Sequence, residues 1–309
     1  MKRRVVSIFL IALTALFSIS MSYRILGKSD IKKSHTGIET DAAAGPRFEV
    51  APVVSYPVQE RDSVEVIILM YHTINDVSRS AWSITPEDFE NDLIYLQQGG
   101  YCTVTISDLI AYENGTGTLP EKPVALTFDD GYASNLLVAL PLLEKYDACA
   151  TINVIGSYVS EPIEGVTPTD DMYFDWNQMQ ELEASGRIEI GHHTWDMHKY
   201  DENERIGCAI TVGEDEASYI EALTTDLNTF QTALLEHGLS KASCFAYPHG
   251  KNCVQSDKLI TQLGFGASLL SVEGLNTITR FDATSLFGLK RYNRPPDLSL
   301  ETIFARAGY

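Results

Sequence analysis

From Val64 onward the chain alternates between strand-like and helix-like stretches for about 240 residues, and this alternation restricts the fold more than any other feature. Residues 64–71 (VEVIILMY) read as a buried strand. Thr85-Pro86-Glu87-Asp88 is a helix start, with a Thr cap, Pro at the first helical position and acids in the first turn. Phe89, Leu93 and Leu96 then recur on one face until Gly99-Gly100 stops the helix. Residues 101–106 read as a strand, and Ser107 begins a short helix. Residues 124–128 form an apolar strand ending on Asp129-Asp130-Gly131, followed by a helical run to about Tyr146 that Pro141 should bend or split.

The same pattern continues downstream. Residues 150–155 are a strand, Asp175 caps a helix to about Ser185, and residues 187–190 run as a strand into His192-His193. A long helix spans 216–237, with Ile220, Leu223, Leu227, Phe230 and Leu234 on one stripe. Residues 243–247 are a strand ending at Pro248, then come a helix to Leu263 and strands near 267–271 and 286–292. Strands separated by helices pair in parallel, because the crossover carries the chain back to the same end of the sheet. The expectation is an α/β fold: one domain over 64–309 built as a closed or nearly closed (β/α) barrel.

What precedes this domain reads differently. Lys2-Arg3-Arg4 followed by an apolar run to about Met21 has the form of a signal peptide or signal anchor over residues 1–24. Residues 25–63 lack periodicity and read as a linker. Export is therefore expected, with the domain secreted or membrane-anchored outside the cytoplasm. Cleavage of the segment and its retention as a membrane tether both stay open. The chain carries a net charge of −19, but residues 1–33 hold seven Lys/Arg against one acid, so residues 34–309 sit near −25. Such a body repels nucleic acid and anionic lipid, and tolerates a neutral or cationic polymer. The five cysteines (Cys102, Cys149, Cys208, Cys244, Cys253) form no Cys-x-x-Cys pair and are read as buried free thiols, a Cys244–Cys253 bridge being the alternative.

Four polar clusters fall at the C-terminal ends of expected strands: His72, Asp129/Asp130, His193/His198 and Tyr247-Pro248-His249. In an α/β barrel that end carries the active site. Adjacent carboxylates after a buried strand repel one another and resist desolvation, which a divalent cation relieves. Taken alone, the pair also suits a helix start. His193 and His198, five apart, differ by ~140° on an ideal helix, so they belong to a loop rather than to one helical face. One Asp with two His leaves positions open for water, as catalytic zinc sites do.

Thr127-Phe128-Asp129-Asp130-Gly131 resembles the first signature of the polysaccharide deacetylases, the NodB-type carbohydrate esterases of family 4. Leu69-Met70-Tyr71-His72, Gly191-x-His193-Thr194 with His198, and Phe245-Ala246-Tyr247-Pro248-His249-Gly250 are similar to further segments of that family, in the same order. The His spacing is similar to that of the poly-N-acetylglucosamine deacetylase branch. The resemblance implies a deformed (β/α) barrel of about seven parallel strands. It implies Asp130, His193 and His198 as ligands of Zn2+ or another divalent metal (Co2+, Ni2+ or Mn2+), with Asp129 as the general base toward water activated at the metal. It implies the Tyr247 backbone N–H as an oxyanion donor, with removal of N-acetyl groups from a 2-acetamido-sugar polymer as the outcome.

The sequence departs from the family pattern at two points. Ala246 stands where the family often has the Arg that orients the base, and Arg291 is the candidate to replace it. No His follows His249, so the general acid is to be sought at His72, His249 or a water. Trp195 and Pro248 are candidate substrate contacts, and Tyr173, Phe174 and Trp176 are further stacking faces. The expected protein is a monomer acting on an extracellular acetylated glycan: poly-N-acetylglucosamine, peptidoglycan, chitin oligomers or, through O-acetyl groups, xylan. A glycan-binding cell-surface protein of weak or no activity on the same barrel is the competing reading.

Overall fold

The computed structural model describes residues 61–309 apart from 77–79, 164, 166, 168 and 201–204. The expected signal segment and nearly all of the linker therefore lie outside the described residues. No helix among the described residues is long and apolar enough to cross a membrane.

A strand covered on both faces needs a continuous apolar run, and β1 (Ser63–Tyr71) supplies one, buried from Val66 to Tyr71. Two short strands, β2 (Thr73–Ile74) and β3 (Ser83–Ile84), pair with each other beside it. Helix α1 (Pro86–Gln98) starts where the sequence places it, with Thr85 and Asp88 forming a reciprocal capping box. β4 (Cys102–Val104) and α2 (Ile106–Glu113) follow. The helix begins one residue earlier than expected because Thr105, not Ser107, is the cap, again boxed by the acid three residues on. β5 (Pro123–Asp130) leads into a π-turn at Asn135–Ala139 and then α3 (Leu140–Lys145). The run is thus divided next to Pro141, which has no N–H to continue the earlier ladder.

β6 (Ala150–Val154), α4 (Trp176–Ala184), β7 (Ile188–His192), α5 (Glu216–Glu236), β8 (Cys244–Ala246), α6 (Val254–Gln262) and β9 (Ala267–Leu269) complete the expected alternation. The ending differs from expectation. β10 (Asn276–Thr279), β11 (Tyr292–Asn293) and α7 (Leu300–Ala307) replace the single strand read at 286–292. Leu289 and Arg291 still bond along the continuation of β9, whereas the Asn276 side chain takes up both main-chain groups of Lys290, which therefore has no strand partner. Gly288, at φ +74°, breaks the extended path.

β1, β5, β6, β7, β8 and β9 are successive parallel neighbours. A parallel bridge from Leu269 to Leu289 and the parallel pairing of β11 with β1 return the sheet to its start. The parallel path thus has seven members and curls back on itself. The β7–β8 contact is its thinnest joint, a single residue pair, His192 with Phe245. β4 and the antiparallel β10 are attached outside the path.

Alternate residues of the strands serve two cores. Ile67, Leu69, Tyr71, Val124, Leu126 and Phe128 pack with the helices, whereas Ile68, Ala125, Cys244, Ala246 and Leu269 pack together on the other side. Small and polar side chains populate that second face. Gly191 belongs there, since a Cβ would overlap Asn153 Oδ1 and lie 2.9 Å from Cys244 Sγ. All five cysteines are free thiols, so the Cys244–Cys253 bridge does not form.

The ends of the fold are joined by a buried ion pair. Arg294, just past β11, donates through Nε to Asp92 Oδ2 at 2.8 Å and through Nη2 to Oδ1 at 3.1 Å. Tyr71 Oη donates to the same carboxylate at 3.1 Å, and the Arg294 N–H donates to Met70 O at 3.0 Å. Arg294→Met leaves Asp92 in the core with the Tyr71 hydroxyl but no opposite charge and is expected to cost about 3–5 kcal/mol in denaturant unfolding. Adding Asp92→Leu should recover much of that loss. A single variant as stable as the parent would show that the pair does not hold the last segment in place.

Candidate active site

The strand-end clusters converge on a cavity of about 450 Å³ lined by His72, Asp129, Asp130, His193, His198 and His249, with Trp82, Tyr132 and Tyr200 among its walls. Each acid reaches it from β5, but with a different neighbourhood. Asp129 is buried and gripped by Arg291, whose Nη1 donates to Oδ1 and Nη2 to Oδ2, both at 2.7 Å. Asn153 Nδ2 adds a third bond to Oδ1 at 2.8 Å. Arg291 is itself fixed by Leu270 O at 2.8 Å and Thr127 Oγ1 at 3.2 Å, and is 0% exposed. Burial pushes the Asp129 carboxyl up, but the facing Arg291 charge, aided by its hydrogen bonds, holds it well below the usual carboxylate range.

Asp130 is the opposite case. It sits at φ +78°, a left-handed conformation that turns its carboxylate away from its neighbour's partners. Its Oδ1 is buried without a hydrogen-bond partner among the described residues. Burial, and then the charge of Asp129, push its carboxyl up to about 7. Two chemically identical side chains thus acquire different properties, Asp129 from the Arg291 charge and Asp130 from burial and the charge of Asp129.

His193 and His198 face this orphaned oxygen. Their Nε2 atoms lie 3.7 and 3.4 Å from Asp130 Oδ1, and one ligand atom from each of the three residues falls within 4.8 Å of the others. His193 Nδ1 donates to Ala246 O at 2.7 Å, which leaves Nε2 with a bare lone pair. Burial lowers His193 to about 3 and His198 to about 4, so both rings are neutral. The loop reading of the five-residue spacing fits the geometry: Thr194, at φ +71°, turns the chain between the two rings. A buried acceptor lacking a donor, beside two neutral imidazoles, is a donor set suited to a divalent cation.

His72 lines the cavity, with its Nδ1 buried and unpartnered and its ring 4.7 Å from that of Trp82. Burial lowers it to about 4 against the opposing pull of Asp129. Arg291 makes with Asp129 the contact that Ala246 cannot, reaching it from the segment that follows β9.

Three expectations do not survive. The Tyr247 N–H donates to Leu269 O at 3.0 Å as a sheet bond, so it is not available to an oxyanion. Its hydroxyl is likewise engaged, by Asp257 at 2.7 Å. Pro248 has no N–H, so the next amide in the turn is that of His249, at φ +55°. Pro248 is buried and does not line the cavity. Trp195 is also absent from its wall. The ring packs so closely on Gly156 that a Cβ there would lie 2.6 Å from it, and it borders a neighbouring cavity instead.

Of the other aromatics, Phe174 is core and Trp176 stacks on His237 at 4.0 Å. Tyr173 stacks at 4.9 Å on Tyr132, which does line the site. The sequence reading overlooked Trp82 and Asn153. Trp82, 51% exposed, had one signal: a lone Trp in the polar stretch before the α1 cap. Asn153, inside an apolar strand, had the signal of an amide where only a satisfied polar group is tolerated.

The family model described as polysaccharide deacetylase matches residues 116–268. Poly-beta-1,6-N-acetyl-D-glucosamine N-deacetylase of Escherichia coli strain K12 is 24% identical over 256 residues, which cover 74% of this chain and 38% of the relative; the chain thus spans well under half the length of that protein. The structure of IcaB from Ammonifex degensii aligns with a TM-score of 0.64 at 27% identity, covering 79% of this chain and 95% of that one. A de-N-acetylase from Aggregatibacter actinomycetemcomitans shares the fold with a TM-score of 0.65 at 22% identity, covering 78% and 99% of the two chains. Barrel, paired acids, histidine loop and family match agree, and residues 116–268 form a polysaccharide deacetylase domain.

Proposed function

We propose that this protein is a metal-dependent hydrolase that removes N-acetyl groups from a 2-acetamido-sugar polymer of the poly-N-acetylglucosamine type. The observation that carries the reading is the orphaned Asp130 Oδ1 facing His193 and His198, next to a carboxylate locked by Arg291. A divalent cation, zinc or a similar ion, held by Asp130, His193 and His198 would supply a Lewis acid for water and for the acetyl carbonyl.

The remaining steps fall to the chain's own groups. Asp129, held in its ionised form by the facing Arg291 charge, is the general base. Its Oδ1 already accepts two bonds and its Oδ2 one, so Oδ2, 4.0 Å from His193 Nε2, keeps the lone pair that takes the water proton. Arg291 and Asn153 hold that carboxylate in one orientation. The developing oxyanion needs a donor other than Tyr247, and the His249 N–H is the next backbone candidate in the turn. Cleavage of the C–N bond releases acetate and leaves an amine that must be protonated. His72 is proposed as the donor: neutral at rest, it would take up the proton that Asp129 removes from water and pass it to the leaving nitrogen, the charge of Asp129 favouring its protonated form meanwhile. An exported protein with an acidic body fits an uncharged glycan that becomes cationic as it is deacetylated.

Acetate release is to be measured on poly-β-1,6-N-acetylglucosamine, chitin oligomers, peptidoglycan and acetylated xylan with defined metals. Release from the first, abolished by chelator and restored by zinc or cobalt, is expected; release only from xylan would make the protein an O-acetyl esterase. Cation-loaded protein that releases acetate from none of the four would leave the glycan-binding reading. Asp129→Asn should lower kcat by roughly 10²–10⁴-fold while zinc still binds.

Arg291→Lys keeps the charge but loses the two-pronged grip, and should lower kcat more than it raises KM. Unchanged kcat would remove Arg291 from the mechanism. His72→Ala should cost about 10²–10⁴-fold in kcat at unaltered cation affinity. A full-rate His72→Ala enzyme would move the acid to His249 or to water.

A further inference from the structure

His193 and His198 belong to a segment with no regular structure of its own, and what restrains it is α5. Asp226, buried on that helix, accepts the N–H of Trp195 through Oδ1 and the N–H of Asp196 through Oδ2, both at 2.8 Å. One residue on, Leu227 O accepts from His192 Nε2 at 3.1 Å, while Nδ1 of that ring accepts the Thr194 N–H at 3.0 Å. Three consecutive amides between the two rings therefore end on α5, two directly and one through His192.

The opposite edge of the same segment is also tied. Thr194 O and Trp195 O accept the amides of Gly156 and Ser157 at 3.0 and 2.8 Å. The loop is thus laced between the end of β6 and one turn of α5. Among the described residues no Lys or Arg pairs with Asp226 within ion-pair distance, so its carboxylate serves the loop amides rather than a cationic side chain.

We propose that Asp226 is a positioning residue for the metal centre, setting the separation of the His193 and His198 rings and hence cation affinity. The inference rests on reading Asp130, His193 and His198 as the ligands. A carboxylate is required because both partners are donors. Asparagine offers one acceptor and one N–H₂, so in Asp226→Asn one loop amide faces another donor and loses its bond. Groups that orient ligands in this way govern affinity as strongly as many direct contacts do.

Zinc affinity of the full chain is measured by competition with a chromogenic chelator, and hydrogen exchange of the 193–198 amides is followed in metal-free protein. Asp226→Asn is expected to weaken zinc by about 10–100-fold and to speed exchange at Trp195 and Asp196. Leu234→Ala, a core truncation further along α5, controls for general loss of stability and should change neither readout. Folded Asp226→Asn protein that binds zinc as tightly as the parent overturns the proposal, as does an equal weakening by Leu234→Ala. A parent that binds no zinc overturns the metal centre itself and this role with it, a result set apart from the others because it is read on unmutated protein.

Discussion

The Arg291 guanidinium lies fully buried against Asp129, and both the closure of the sheet and the chemistry of the site depend on that contact. Arg291 comes from the segment that runs between β9 and β1, so the bond ties the last part of the path to the middle of the sheet. Desolvating a guanidinium and a carboxylate is costly, and the cost is offset here by two parallel hydrogen bonds plus Asn153, Thr127 and Leu270 on the remaining valences. Removing either partner would leave a bare charge inside the sheet.

That single pairing also separates the functions of two adjacent acids. Arg291 stabilises charge on Asp129, while burial first and then the charge so fixed disfavour a second one on Asp130. An acid that resists ionisation, with one oxygen lacking any donor, is a group that gains by meeting a cation. The neutral rings of His193 and His198 are placed to complete the set, and the hydrogen bond from His193 to Ala246 O fixes which nitrogen is free. Rigidity comes from the second layer: α5 and the end of β6 hold the histidine loop from both edges.

Much of this was legible in the chain alone. The order of strands and helices followed from apolar runs, capping residues and glycine stops, because those signals act over a few residues and need no distant partner. The helix caps at Thr85 and Asp175 and the break beside Pro141 appeared where local chemistry put them. The metal-ligand candidates Asp130, His193 and His198 were visible as strand-end clusters, and their five-residue spacing correctly excluded a shared helical face. The last strand was placed in the right region, where Leu289 and β11 pair, but its regular part is short because Asn276, from a different strand, occupies the main chain of Lys290.

Sequence by itself determined the alternating α/β architecture and the gathering of carboxylate and imidazole groups at one end of it. Only the tertiary structure decided which groups are free to act. It spent the Tyr247 amide on Leu269, turned Trp195 away from the cavity, and brought Trp82 and Asn153 to it. It also delivered Arg291 across more than 160 residues to the position that Ala246 leaves empty. The physical reason is range: propensity and capping are local, whereas hydrogen-bond satisfaction and burial depend on which distant segments the curled sheet brings into contact.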